Sequence, residues 1–278
     1  MYKLQFMLRN KSIGIFDSGF GGLSVMRGIV KDLPEYNYVY LGDSARVPYG
    51  TKPREAIYRF AKQAINFLVN KNCGLIILAC NTASSEALRR IQQEYIPKCY
   101  SDRKVLGVLI PAAEIAASKT KNKRVGIIAT ERTVESEAFV RELRKVNQEI
   151  KAFQKACPLL VKIVEIGEQD EKSTNAVLKK YLKPLTSKKI DTLILGCTHY
   201  GILEKKIRKI TGKNIKIISE SKIIGKKLKK YLKKHPEIEK KLSKKRKNFF
   251  YSTDLTKNFE ILGSKFFGEK IKAKKADL

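Results

Sequence analysis

Residues 193–201 read Leu-Ile-Leu-Gly-Cys-Thr-His-Tyr-Gly, an apolar segment typical of a buried strand that is followed by a thiol, a hydroxyl and an imidazole. Residues 75–84 repeat the pattern as Leu-Ile-Ile-Leu-Ala-Cys-Asn-Thr-Ala-Ser. Cys80 and Cys197 therefore each stand just past a predicted strand, which is where open α/β sheets place their sites. We interpret the two cysteines as the two halves of one site.

Predicted strands alternate with predicted helices along almost the whole chain, a pattern that indicates an α/β fold with largely parallel sheets flanked by helices. The two cysteine segments fall in different halves of the sequence. We therefore expect two pseudo-symmetric domains with the active site in the cleft between them. The first domain would comprise residues 12–108 plus 218–278 and carry Asp17 and Cys80. The second would comprise residues 109–217 and carry Glu165, Cys197 and His199.

The composition is that of a globular protein, with 43% hydrophobic residues in a chain of 278. No apolar run approaches the roughly 18 residues that a membrane-spanning helix needs. Residues 1–11 lack a long apolar segment and a small-residue cleavage site, so we expect no signal peptide and a cytoplasmic protein.

The chain contains five cysteines, and an odd number in a protein that is not secreted argues against a disulfide framework. With only two histidines, no metal site is expected. Cys73, Cys99 and Cys157 lack the strand-end setting as a set, and we interpret them as structural or incidental.

The formal net charge is +31, which raises the alternative of a nucleic-acid-binding protein. However, the excess is mostly lysine and is spread along the chain, with its densest part at residues 226–247. Tyr231 is the only aromatic residue there, too few for a base-stacking platform. A generally lysine-rich surface is favoured, and it would attract a small substrate that carries two carboxylates.

Each candidate residue also has a purely structural interpretation. Cys80 and Cys197 could be core residues, although a helix N-terminus after each strand would favour a thiolate. His199 could be a surface residue or could polarise or deprotonate Cys197. Asp17 could cap the following helix or lie beside Cys80, and Glu165 could be an ordinary surface acid.

Two opposed thiols suit the removal of a proton from one face of a carbon and the return of a proton to the other face. No lysine stands in a phosphate-binding context, so no pyridoxal phosphate or other cofactor is expected. Residues 19–22, Gly-Phe-Gly-Gly, resemble a phosphate loop, but Ser24 replaces the third glycine of the dinucleotide pattern. These glycines are expected to let the backbone approach a small ligand.

Several segments together resemble the glutamate racemases of the aspartate/glutamate racemase family. They occur in family order over most of residues 12–205, and the Thr-His after the second cysteine favours glutamate over aspartate racemases. The matching segments are residues 13–25 (Ile-Gly-Ile-Phe-Asp-Ser-Gly-Phe-Gly-Gly-Leu-Ser-Val), 40–50 (Tyr-Leu-Gly-Asp-Ser-Ala-Arg-Val-Pro-Tyr-Gly), 79–84 (Ala-Cys-Asn-Thr-Ala-Ser), 126–133, 156–165 and 196–200 (Gly-Cys-Thr-His-Tyr).

The resemblance implies cofactor-independent racemisation of L-glutamate to D-glutamate, which feeds peptidoglycan synthesis, by a two-base mechanism. Cys80 and Cys197 would be the acid/base pair, Asp17 would assist Cys80, and Glu165 with His199 would assist Cys197. A homodimer is expected. The residues implied in holding the substrate are Asp17, Ser18, Tyr49, Gly50, Asn81, Thr82, Thr198 and His199.

Three positions depart from the family pattern. Lys162 and Gly201 stand where proline is usual, and Ser219 replaces a common aspartate. These changes concern local packing, oligomer contacts and regulation more than the chemistry. A racemase of the same family that acts on aspartate or another amino acid remains the first alternative.

Overall fold

The structure, a computed structural model, describes residues 10–255 and 257–278, so that most of the 1–11 segment lies outside the described residues. Six strands form one sheet, all parallel, in the order β10-β9-β2-β1-β3-β4. The three central strands are buried along their whole length, as parallel strands covered on both faces should be. The strands are β1 (Ser12–Asp17), β2 (Tyr38–Gly42), β3 (Cys73–Leu78), β4 (Lys104–Gly107), β9 (Asn248–Ser252) and β10 (Ala273–Lys275).

Four further strands form a second parallel sheet in the order β6-β5-β7-β8. The chain enters this sheet after β4 through the helix Leu109–Lys119, and it returns to the first sheet through the helix Glu220–Lys234. The strands are β5 (Arg124–Ala129), β6 (Lys151–Ala156), β7 (Thr192–Gly196) and β8 (Lys216–Ile218).

The helices are amphipathic and cover the faces of the sheets. The helix Arg54–Asn70, for example, buries Ile57, Ala61, Ile65 and Leu68 at the spacing of one helical face. The remaining α-helices are Gly22–Asp32, Asn81–Glu86, Leu88–Arg90, Ile96–Cys99, Glu131–Glu135, Ala138–Val146, Pro158–Glu165, Lys172–Thr186, Glu204–Thr211, Pro236–Glu239 and Lys257–Phe267, joined by 3₁₀ turns at Ser44–Arg46, Tyr49–Thr51, Glu168–Asp170 and Thr198–Leu203 and a π-helical turn at Ile91–Tyr95.

Each sheet has a switch point at its centre. From β1 the chain goes to β2 on one side, whereas from β3 it goes to β4 on the other side. The neighbours β5 and β7 repeat this arrangement in the second sheet, where they lead to β6 and β8. Ligands of open α/β sheets bind outside the carboxyl ends of strands at such a point. The topology therefore directs attention to the segments that follow β1, β3, β5 and β7.

The α/β fold predicted from the sequence is confirmed, with parallel sheets flanked by helices. The domain limits 12–108 plus 218–278 and 109–217 stay a prediction. Glu165 ends the helix Pro158–Glu165, and the segment after Cys197, where a helix start was expected, begins as a 3₁₀ turn rather than an α-helix. Among residues 10–255 and 257–278, no helix combines the length and apolar character needed to cross a bilayer.

Candidate active site

A small cavity lies where the carboxyl ends of the two sheets face each other. Cys80 reaches it from the end of β3 and Cys197 from the end of β7, so each thiol comes from a different sheet. Nine of the residues proposed from the sequence line the cavity, together with Val47, Pro48, Thr130 and Val161; they are Ser18, Tyr49, Gly50, Cys80, Asn81, Thr82, Cys197, Thr198 and His199.

Cys80 is 5% exposed, and its thiol donates to the Ser18 hydroxyl at 3.4 Å. Burial raises the pKa of Cys80 to about 11, and the nearby charge of Asp17 adds to the rise. The helix N-terminus that was expected to favour a thiolate at Cys80 is therefore outweighed by burial. The helix that follows, Asn81–Glu86, has only six residues, and its field does not offset the loss of water around the sulfur.

Cys197 is the first member of a chain of three groups. Its Sγ lies 3.8 Å from Nδ1 of His199, whose Nε2 lies 3.2 Å from Oε1 of Glu165. His199 is buried, and its ring packs edge-on against Phe20 with ring centroids 5.4 Å apart. Burial also raises the pKa of Cys197 well above its ordinary value, so this sulfur is a thiol too. The imidazole is in position to take its proton.

Asp17 lies at the end of β1 and is fully buried, but it does not line the cavity. Its carboxylate accepts hydrogen bonds from the Gly19 N–H at 3.0 Å and from the Thr198 hydroxyl at 3.2 Å. Burial raises the pKa of Asp17, and the His199 imidazole opposes the rise. The hydrogen bonds of Asp17 therefore join β1 to the Cys197 segment, while its influence on Cys80 is exerted through charge.

The loop that carries Tyr49 and Gly50 closes the cavity against the second sheet. The Tyr49 phenol donates to Asp43, which also pairs with Arg46 at 2.7 Å. A Cβ added to Gly50 would lie 2.7 Å from Cβ of Thr130, so only glycine permits this approach. The Thr130 hydroxyl in turn lies 3.0 Å from that of Thr82, which connects the loops after β3 and β5.

The glycine-rich loop after β1 packs against the protein itself. A Cβ on Gly21 would lie 2.6 Å from Oγ1 of Thr198 and 2.9 Å from Nδ1 of His199. At Gly21 this close approach is to two side chains of the other sheet, and the expected approach of the loop backbone to a small ligand stays a prediction. The loop holds the Thr198–His199 pair in place.

Glu220 is a member of this site that the sequence analysis missed. It begins the helix after β8, is 2% exposed, and accepts a hydrogen bond from the Asn81 amide at 2.9 Å. The available signal was its place just past a predicted strand, the same position that drew attention to the two cysteines. Only the neighbouring Ser219 was noted there.

Within the part of the chain that the structure describes, no three His, Cys, Asp or Glu side chains gather as a metal site. The side chains that do gather are two thiols, one imidazole and several hydroxyl and amide groups. This set can exchange protons and hydrogen-bond a small polar ligand.

Comparison with known proteins places these residues in a wider context. Residues 13–223 match the family model described as Asp/Glu/Hydantoin racemase. A glutamate racemase of Geobacter metallireducens is 37% identical over 262 residues, which cover 94% of each chain. A crystal structure of a glutamate racemase isoform from Bacillus anthracis superposes with a TM-score of 0.89 at 33% identity, covering 97% of this chain and 98% of that one. A structure of the Francisella tularensis glutamate racemase in complex with D-glutamate gives a TM-score of 0.86 at 34% identity and 98% coverage of both.

Proposed function

This chain belongs to the Asp/Glu/Hydantoin racemase family, and from that premise we propose that it interconverts L- and D-glutamate by exchanging the α-proton between Cys80 and Cys197. It is an isomerase, an amino-acid racemase. The observation that carries the two-thiol mechanism is that both sulfurs line one cavity from the ends of two different sheets. A carbon bound between them would present opposite faces to the two thiols.

Catalysis begins with the formation of a thiolate, because burial raises the pKa of both thiols and so favours their protonated form at neutral pH. Cys197 has a proton acceptor in reach, since Nδ1 of His199 lies 3.8 Å away. Glu165 at 3.2 Å from Nε2 stabilises the imidazolium that forms. We therefore assign Cys197 the first thiolate and leave Cys80 as the neutral acid.

The proton transfers then balance as follows. The Cys197 thiolate takes the α-hydrogen of the substrate, and the S–H of Cys80 gives its proton to the opposite face of the same carbon. The product has inverted configuration, Cys197 is a thiol and Cys80 is a thiolate. Because no electron sink stabilises the carbanion, the two transfers should occur almost together. The reverse reaction uses the same groups in exchanged roles.

The polar groups around the cavity suit an amino acid. Hydroxyls of Ser18, Thr82 and Thr198 and the amide of Asn81 border the space beside the thiols. Such groups can donate to carboxylates and accept from an ammonium group. The Francisella tularensis relative was crystallised with D-glutamate, which supports glutamate as the ligand here.

To test this function, the purified protein is incubated with L-glutamate without added cofactor, and the circular dichroism of the amino acid is followed over time. We expect the optical activity of L-glutamate to decay to zero. L-Aspartate, assayed side by side, should be turned over far more slowly. Persistent optical activity of L-glutamate would refute the assignment, and faster loss with L-aspartate would favour the aspartate alternative.

We further propose that the D-glutamate serves peptidoglycan synthesis and that the enzyme works in the cytoplasm as a homodimer. The family relationship supports the pathway. Leu159, on the helix that ends at Glu165, and Ile166, directly after it, are each at least half exposed, which is compatible with a partner surface near the site. Light scattering of the purified protein measures the mass, and a monomer would refute the dimer.

A further inference from the structure

Glu220 is a buried acid that the two-thiol mechanism does not use. It follows β8 in the second sheet, whereas its hydrogen-bond donor, Asn81, follows Cys80 in the first. The 2.9 Å contact therefore connects the two sheets directly beside one of the proposed acid/base groups. Asn81 is itself only 2% exposed and lines the cavity. A change in the orientation of its amide would therefore alter the groups that surround a bound substrate.

Two oxygen atoms of this pair have no hydrogen-bond partner among the described residues. They are Oδ1 of Asn81 and Oε1 of Glu220, and both are fully buried. An unsatisfied buried polar atom costs about 1–3 kcal/mol, so such atoms require an explanation. Both are acceptors as long as Glu220 is ionised. A proton on Oε1 would turn this atom into a donor, so that the pair would no longer present two unsatisfied acceptors.

We propose that Glu220 is a positioning residue for Asn81: it carries a proton at neutral pH, fixes the orientation of the Asn81 amide, and so leaves the amide oxygen to accept from the substrate. This inference rests on the proposed function. An ionised Glu220 could only accept, and it would add a second negative charge beside Asp17. It would also oppose the formation of a thiolate at Cys197.

The charges around Glu220 favour the neutral form. Burial raises its pKa to about 8, and the negative charge of Asp17 contributes to the rise, whereas the Asn81 hydrogen bond lowers it. Cys197 is close enough for the charge of an ionised Glu220 to raise the pKa of its thiol further, and His199 contacts the same thiol.

Of the charges that other elements bring to the Glu220–Lys234 helix, Glu204 comes nearest, because it pairs with Lys222, two residues from Glu220, at 2.6 Å. Two further charges lie farther along the helix. Asp32 lies beside Gly225, and Glu114 pairs with Lys227 at 2.6 Å. These contacts are five and seven residues away, or about 7–10 Å at 1.5 Å per residue.

The experiment compares kcat/KM of wild type and E220Q for glutamate between about pH 6 and pH 9. Glutamine mimics the neutral acid at every pH, and the ratio of the two enzymes cancels the titration of the thiols that they share. We expect E220Q to be within about threefold of wild type near pH 7. The ratio of E220Q to wild type should then rise about tenfold by pH 9, because roughly nine-tenths of Glu220 is ionised there.

E220A removes the acceptor that fixes the orientation of the Asn81 amide. It should raise KM about tenfold at every pH, because the substrate loses one oriented hydrogen bond of about 1.4 kcal/mol. The matched control is E204Q, because Glu204 is also a buried glutamate but pairs with Lys222 and Arg208. Its ratio to wild type should not change with pH. A flat ratio for E220Q would overturn the inference, as would an unchanged KM in E220A.

Infrared spectroscopy of the wild type covers the case in which E220Q fails to fold. A protonated-carboxyl carbonyl band should disappear between about pH 7 and pH 9, and its absence at pH 7 would refute the proton on Glu220. The two proposals fail separately. A wild type that does not racemise glutamate refutes the function, whereas a racemising wild type with a flat E220Q ratio refutes only the role of Glu220.

Discussion

For the individual residues of the site, burial is the dominant influence on the pKa values. Cys80, Cys197, Asp17 and Glu220 all have raised pKa values, and loss of water is the first cause in each case. Burial therefore favours neutral thiols at Cys80 and Cys197 and a neutral carboxyl at Glu220. Charge has to be created during the reaction, which gives the His199–Glu165 pair its importance.

Replacing His199 with asparagine should lower kcat by about 10²–10⁴-fold near pH 7, because Cys197 loses its proton acceptor. The deficit should shrink as the pH rises, since the thiol then ionises without help. Rates measured across the alkaline range test both points. His235→Asn is the control, because this second histidine is partly exposed and lies outside the cavity, where its side chain contacts Tyr231 and Glu237. An H199N rate within tenfold of wild type would contradict the role.

Replacing Asp17 with asparagine should impair racemisation and yet raise the free energy of unfolding at neutral pH by about 1–3 kcal/mol. The folded-state pKa of Asp17 is raised, so the ionised carboxyl lowers stability once the pH exceeds its unfolded value of about 3.9. The gain should accordingly vanish at low pH. Urea unfolding at several pH values measures it.

Asp43 provides the comparison for this prediction, because it is equally buried but pairs with Arg46 and accepts from Thr253 at 2.9 Å. Asp43→Asn should lower stability, the opposite sign. Equal changes in the free energy of unfolding for the two substitutions would show that burial of the ionised Asp17 carboxyl does not lower the stability of the fold.

Among the secondary-structure elements, the contact between the glycine loop after β1 and the 3₁₀ turn Thr198–Leu203 matters most for the site. Gly21→Ala should lower kcat/KM about tenfold or more, because the new methyl group would displace Thr198 and His199 by close contact. Gly201→Ala, in the same turn, meets nothing closer than 3.6 Å and should be tolerated. Steady-state kinetics of both variants test this prediction, and equal values of kcat/KM would contradict the role of Gly21 in packing against Thr198 and His199.

The sequence was sufficient to predict those elements whose signal is local. Apolar strands followed by small polar residues placed Asp17, Cys80 and Cys197 at strand ends, and the periodicity gave the main helices. Glu220 was missed because its role depends on Asn81, 139 residues earlier in the chain. Strand β10 was missed because its sequence, Ala-Lys-Lys, has no strand propensity of its own. It is a strand because it forms hydrogen bonds with β9, a contact that the local sequence does not reveal.

For the whole molecule, the excess of positive charge provides a long-range field. A formal charge of +31 should attract glutamate, which carries two carboxylates and one ammonium group. We expect kcat/KM to fall several-fold between about 0.02 M and 0.5 M NaCl while kcat changes little, because salt screens exposed charges. Sucrose of equal osmolarity is the control. A kcat/KM independent of salt would show that the surface lysines do not assist binding.

The nucleic-acid alternative makes a different prediction for the same surface. A genuine site would bind DNA with an affinity that falls steeply with salt, with a slope that counts the phosphates contacted. The spread of lysines instead suggests weak binding. Fluorescence anisotropy with a labelled duplex should detect no complex near about 0.15 M salt, and tight binding there would revive the alternative.

The central claim is that the α-carbon lies between Cys80 and Cys197, and isotope exchange in heavy water tests it most directly. Cys80→Ser and Cys197→Ser are each incubated with L-glutamate and, separately, with D-glutamate, and deuterium at the α-carbon is followed by NMR. Neither variant should racemise, and each should exchange the α-hydrogen of one enantiomer only, with opposite choices for the two variants. Racemisation by either variant, or exchange of the same enantiomer by both, would contradict the claim.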